Sequence, residues 1–116
     1  MAIIEISHVE IPSLELNKSK DFFNKLFGWE FKPFGNVYLL YNSHNGLTIG
    51  LRKVDEVKEG DSTIFHIKVD DIDSVLIKAE KAGGKIFRKR TIIPAMGYYG
   101  LIKDVSGNII GLFQKN

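Results

Sequence analysis

Residues 3–28 read IIEISHVEIPSLELNKSKDFFNKLFG, and the change of hydrophobic period inside this stretch decides the fold. Through residue 11 apolar and polar side chains alternate in a run rich in β-branched residues, the pattern of a half-buried strand, and Pro12 is expected to end it. From Asn17, placed as an N-cap, Phe22, Phe23, Leu26 and Phe27 recur at helical spacing until Gly28 stops the helix. Working outward, Trp29-Glu30-Phe31, residues 37–41 and residues 47–52 read as three short strands. Pro33-Phe34-Gly35-Asn36 and the turn Ser43-His44-Asn45-Gly46 separate them.

The second half repeats that order. A strand over 62–69 precedes a helix from about Asp73 that carries Val75, Leu76, Ala79 and Ala82 on one face and ends at Gly83-Gly84. Strands over 85–90, 98–103 and 108–114 follow, the last two joined by a turn at Asp104-Val105-Ser106-Gly107. An offset of 56 aligns the strand–helix units without a gap, matching Ile11 to Ile67, Leu16 to Ile72, Gly28 to Gly84 and Phe31 to Phe87. An offset of 61 aligns the later hairpins, matching Gly46 to Gly107 and Gly50 to Gly111. The expected architecture is α+β, two βαβββ modules over about 1–55 and 61–116 of a single domain spanning 1–116. Neither module is large enough to bury its sheet face alone.

Composition narrows the chemistry. At 116 residues, 44% hydrophobic and 26% charged, the chain has the balance of one soluble domain with a real core. With no cysteine, thiolate zinc sites, iron–sulfur clusters, disulfides and a cysteine nucleophile are excluded. Sixteen Lys and Arg against fourteen Asp and Glu give +2, too little for phosphate-backbone binding, so nucleic acid is not an expected partner. The start of the chain has no signal-peptide pattern and no window is apolar enough to cross a membrane, so a cytoplasmic location with no membrane partner is expected. Phosphate loops, GxGxxG, GxSxG and HExxH are absent.

Five motifs in order, SHVEIP (7–12), SKDFFNKLFGWEF (19–31), VDDID (69–73), AGGKI (82–86) and DVSGNIIGLFQ (104–114), resemble the glyoxalase/bleomycin-resistance/dioxygenase (vicinal oxygen chelate) superfamily. The resemblance covers nearly the whole chain and is nearest to small proteins related to lactoylglutathione lyase. It implies a curved open sheet around a pocket and a homodimer. It also implies that the metal ligands of metal-using members would fall, one from the first and one from the last strand of each module, at His8, Gly50, Ile64 and Gly111. Only His8 can ligate, and a divalent cation needs about three protein ligands. No cofactor is therefore expected. A divalent metal could be held only by a displaced set, His8, Glu10 and His66.

Strand alternation puts His8 and Glu10 on one face, and they are the expected acid–base pair. His66 occupies the place in the second module that Glu10 has in the first. The expected ligand-contacting residues are His66, Gly50, Arg52, Gly111 and Tyr98. Gly50 and Gly111 admit either a bend in a curved sheet or the close approach of a ligand. Arg52, with Thr48 on Gly50's face, offers a fork of donors to an anion. Tyr98-Tyr99, after Ile92-Ile93-Pro94-Ala95-Met96-Gly97, falls where relatives place a loop and strand that close over the pocket, an adaptable wall for an aromatic or apolar ligand; the other reading is an ordinary loop with one tyrosine in the core and its neighbour out. Trp29, Phe22, Phe23 and Phe27 are expected in the core or a dimer contact. Lys85-Ile86-Phe87-Arg88-Lys89-Arg90 is expected to turn its apolar residues inward as an edge strand. The resulting expectation is a small-molecule-binding protein that sequesters a compact, partly aromatic or apolar ligand. The other reading is a lyase or isomerase using Glu10 and His8.

Overall fold

Residues 4–58, 63–103 and 105–116 are described by the computed structural model. In chain order its elements are β1 (Glu5–Ser13), α1 (Leu16–Phe27), β2 (Lys32–Pro33), β3 (Tyr38–Asn42), β4 (Thr48–Lys53), β5 (Ile64–Lys68), α2 (Ile72–Lys81), β6 (Lys85–Ile93), β7 (Gly97–Lys103) and β8 (Ile109–Lys115). This is a mixed α+β fold in which strand, helix and three strands occur twice. The strand starts expected at Ile3 and Ser62, and Asp104 of the last expected turn, lie outside the described residues. One compact unit comprises His8–Ile64; the other comprises Phe65–Asn116 with the segment that ends at Ser7. Among the described residues no helix is long and apolar enough to cross a membrane.

In the first unit the strands lie in the order β2-β3-β4-β1, with β1 parallel to β4 and the other pairs antiparallel. Because side chains alternate across a strand, one face presents Leu39, Ile49 and Leu51, which are buried with Phe31. Ile11, Leu16, Phe23, Trp29 and Tyr41 pack against this cluster. Leu51 has no exposed surface, and burying a side chain of that size contributes about 1.5–3 kcal/mol.

Three local expectations are corrected here. Pro12 does not end β1: its fixed φ suits extended backbone, and the strand runs on to Ser13 in register with β4. Asn17 is not the N-cap: α1 starts at Leu16 after an extended Glu15, with no side-chain cap. That start is tied down instead by the Ser13–Ser19 hydroxyl contact of 2.6 Å and by the packing of Leu16. Trp29-Glu30-Phe31 is not a strand. Its rings stack instead, Trp29 lying 5.4 Å from Tyr41 and 5.6 Å from Phe23, and pairing with β3 begins only at Lys32. Of the helix's aromatic face only Phe23 is half-buried; Phe22, Leu26 and Phe27 are more than half exposed. Gly28, at φ 73°, terminates α1 as expected.

In the second unit the order is β5-β8-β7-β6, with β5 parallel to β8. Val69, Ile72, Leu76 and Leu112 form its core, joined by Ile67, Val75, Ile86, Tyr98 and Ile102. The first N–H of α2, at Ile72, donates to the Gln114 side-chain carbonyl at 2.8 Å, so a residue of the last strand caps the helix. Two further corrections belong to this half. Ile86 packs into the core, so alternation sends its neighbour Phe87 to the opposite face, where it is 54% exposed under the Lys103 ammonium rather than inward; the register shifts between Ile86 and Arg88 and again before Thr91. The expected closing loop at 92–97 is a tight hairpin: Ile92 and Ile93 belong to β6, and the Met96 N–H donates to Ile93 O.

Candidate functional site

Two strand registers assemble a polar face on the first unit. β1 and β4 pair His8 with Thr48, Glu10 with Gly50 and Pro12 with Arg52; β3 and β4 pair Asn42 with Thr48, Leu40 with Gly50 and Tyr38 with Arg52. Partners across a ladder point to the same side, so His8, Glu10, Thr48, Arg52 and Tyr38 share the face opposite the aromatic core.

Their side chains are joined in a directional chain. Tyr38 Oη lies 2.8 Å from His8 Nε2 and donates its proton to Glu10 Oε2 at 3.1 Å. With that one proton spent on a carboxylate that can only accept, the Tyr38 oxygen receives the His8 Nε2–H. His8 Nδ1 lies 2.6 Å from the Thr48 hydroxyl. At the other end Arg52 Nε donates to Glu10 Oε1 at 2.8 Å, an ion pair in which the Glu10 side chain is 18% exposed. Burial, reinforced by the Glu10 charge and the hydrogen bond to it and only partly opposed by Arg52, raises the Tyr38 phenol far above its ordinary range and keeps it protonated.

Gly50 makes this arrangement sterically possible. Tyr38 is diagonal to it across the β3–β4 pair, and a Cβ at Gly50 would occupy the same space as the Tyr38 hydroxyl. The second unit repeats the device with a different ring. His66, buried, is paired with Gly111, and a Cβ there would overlap its imidazole. Both glycines are thus close-approach positions, but what approaches is the protein's own side chain.

The structure therefore brings together His8, Glu10, Arg52 and Gly50, and adds Tyr38, which the sequence reading did not single out. His66 and Gly111 meet in the second unit. Tyr98 does not line Gly111's face: in the β7–β8 register Leu101 is the partner of Gly111, whereas Tyr98 faces the α2 core beneath the Arg90 guanidinium, 4.8 Å from its ring centroid. Tyr99, paired with Phe113, is the tyrosine on Gly111's side. A signal for Tyr38 existed once Ser43 and Leu47 are taken to close the β3–β4 turn, since counting outward from that pair sets Tyr38 opposite Arg52.

A family model described as Glyoxalase/Bleomycin resistance protein/Dioxygenase superfamily matches residues 5–112. The chain belongs to this superfamily. A curated relative, "Putative glyoxylase CFP32" of Mycobacterium bovis, is 28% identical over 93% of this chain, which spans only 44% of that protein's length. Among solved structures, a methylmalonyl-CoA epimerase from Mycobacterium tuberculosis superposes with TM-score 0.73 at 15% identity, covering 96% of this chain and 87% of that one. The Mn(II)-bound glyoxalase from Novosphingobium aromaticivorans gives TM-score 0.70 at 16% identity, covering 95% of this chain and 38% of that one. At these identities the superpositions establish the shared fold. The usual ligand positions do not fit a cation here: Ile64 has no donor atom, and the space beside Gly50 and Gly111 is filled by Tyr38 and His66.

Proposed function

We propose that this protein binds a compact, partly aromatic or apolar small molecule against the polar face of β1, β3 and β4, without the metal-ligand set usual in its superfamily. One observation carries the reading: the Tyr38 hydroxyl contacts both His8 Nε2 and Glu10 Oε2, the donor atoms on β1 that a cation would use. Sequestration is then the activity, with the Glu10–Arg52 pair orienting a polar group of the ligand. We further propose a cytoplasmic homodimer, for which the exposed Phe22, Leu26 and Phe27 of α1 supply apolar surface.

The test is a thermal-shift screen of small aromatic and apolar compounds, followed by calorimetry and product analysis. A ligand at about 100 times its dissociation constant adds roughly 2.7 kcal/mol of stability. Stoichiometric binding without product, weakened by Glu10→Gln, supports the reading; a screen in which no compound stabilises the protein counts against it.

A second reading is a lyase or isomerase related to lactoylglutathione lyase, with Glu10 as general base and His8 as its partner. It is favoured by the Glu10 carboxylate, which accepts two hydrogen bonds and keeps further lone pairs for a substrate proton. The glyoxylase and epimerase names of its relatives agree with such chemistry. A divalent metal belongs with this reading, and His8, Glu10 and His66 carry donor types suited to it. Product formation lost in both His8→Ala and Glu10→Ala, with folding retained, would select this reading over sequestration.

A further inference from the structure

We infer that Tyr38 is the residue that decides metal use in this protein: its hydroxyl holds the place between His8 and Glu10 that a divalent cation would otherwise take. The inference deepens the metal-free reading above and rests on it.

Three observations combine. An imidazole nitrogen and a carboxylate oxygen from one strand face are both contacted by a single phenol oxygen, at 2.8 and 3.1 Å. Nitrogen and oxygen donors of this kind suit zinc, nickel or manganese, so donor type is no bar; they supply two of the about three protein ligands a cation needs, and the phenol oxygen engages both. The proton inventory points the same way. Because Tyr38 donates to Glu10, the His8 Nε2 that faces it carries a proton, and Nδ1 lies 2.6 Å from the Thr48 hydroxyl. A ligating nitrogen must present a lone pair, which Nε2 does not offer while Tyr38 stands against it. Finally, the phenol is seated by design of the backbone: Gly50 leaves the room it occupies, and any side chain at that position would evict it. One glycine therefore has two consequences, removing a donor from β4 and admitting the group that neutralises the donors on β1.

The experiment is calorimetric titration of the full chain with ZnCl2 and with MnCl2 in a non-coordinating buffer. Wild type is compared with Tyr38→Phe, which deletes only the oxygen, and with Tyr38→Phe/His8→Ala. Tyr38→Phe is expected to bind one equivalent at least about 10-fold more tightly than wild type, a change of about 1.4 kcal/mol, and the added His8→Ala to abolish the gain. Unchanged or weaker metal binding in folded Tyr38→Phe would overturn the inference. Nitrogen NMR of the wild type, which needs no variant, tests the proton on Nε2: a protonated Nε2 supports the inference, and a bare Nε2 overturns it. The two readings fail separately. A ligand screen that finds nothing defeats sequestration while leaving the metal gain of Tyr38→Phe intact; tight metal binding by wild type defeats the role given to Tyr38 while leaving small-molecule binding open to its own test.

Discussion

The Tyr38 hydroxyl occupies the volume that a side chain on Gly50 would need, so the placement of Tyr38 depends on a glycine 12 residues away in sequence on the neighbouring strand. Gly50→Ala is expected to cost about 1–3 kcal/mol by overpacking. In a Tyr38→Ala background the same change should cost much less, because the colliding ring is gone. A double-mutant cycle by urea denaturation measures the difference, and an additive result would contradict the geometry. Gly111→Ala should behave alike against the His66 ring.

Tyr38 also predicts a pH response. Its phenol is raised above the ordinary value of 10.0, chiefly by burial, so the folded state holds a proton that the unfolded state releases. The stability from this difference is fully present below that value. Because the unfolded chain then binds fewer protons than the folded one, stability falls as pH climbs above it. Of the four tyrosines, one should show no phenolate absorbance until the protein unfolds in alkali. Tyr38→Phe should remove that silent group and flatten its part of the alkaline slope.

The core and the exposed helix face should separate cleanly. Leu51→Ala, at a site with no exposed surface, should cost about 2–5 kcal/mol. Phe22→Ser, on a side chain 57% exposed, should cost the isolated chain about 0.5 kcal/mol or less. In a homodimer built on α1, Phe22→Ser should instead weaken association, read by sedimentation across a concentration series.

Gln114→Leu should lower stability by about 1 kcal/mol, since it removes the acceptor for the first N–H of α2 while keeping most of the side-chain volume. Amide exchange should quicken at Ile72 and in the first turn of α2 more than elsewhere in the second unit.

The order of elements was legible because it is written in period and punctuation. Alternation up to Ile11, helical spacing from Phe22 to Phe27 and the glycine at residue 28 are local signals, and each appears in the structure. Boundaries were less legible where a distant partner overrides propensity. Pro12 continues a strand because β4 runs beside it, and the register of β6 against β7 shifts between Ile86 and Arg88 and again before Thr91.

The site divides along the same line. From sequence alone came the superfamily, read from five motifs in order, and the shared face of His8 and Glu10, read from alternation. Glycines at 50 and 111, where the resemblance implies ligands, bring no donor atom, a matter of side-chain chemistry that no fold can alter. Only tertiary structure decided what fills the vacated space. Tyr38 and His66 reach their glycines across strand pairs whose register depends on how neighbouring strands pair, and a contact between strands is set by pairing and packing rather than by any property of the residues taken one at a time.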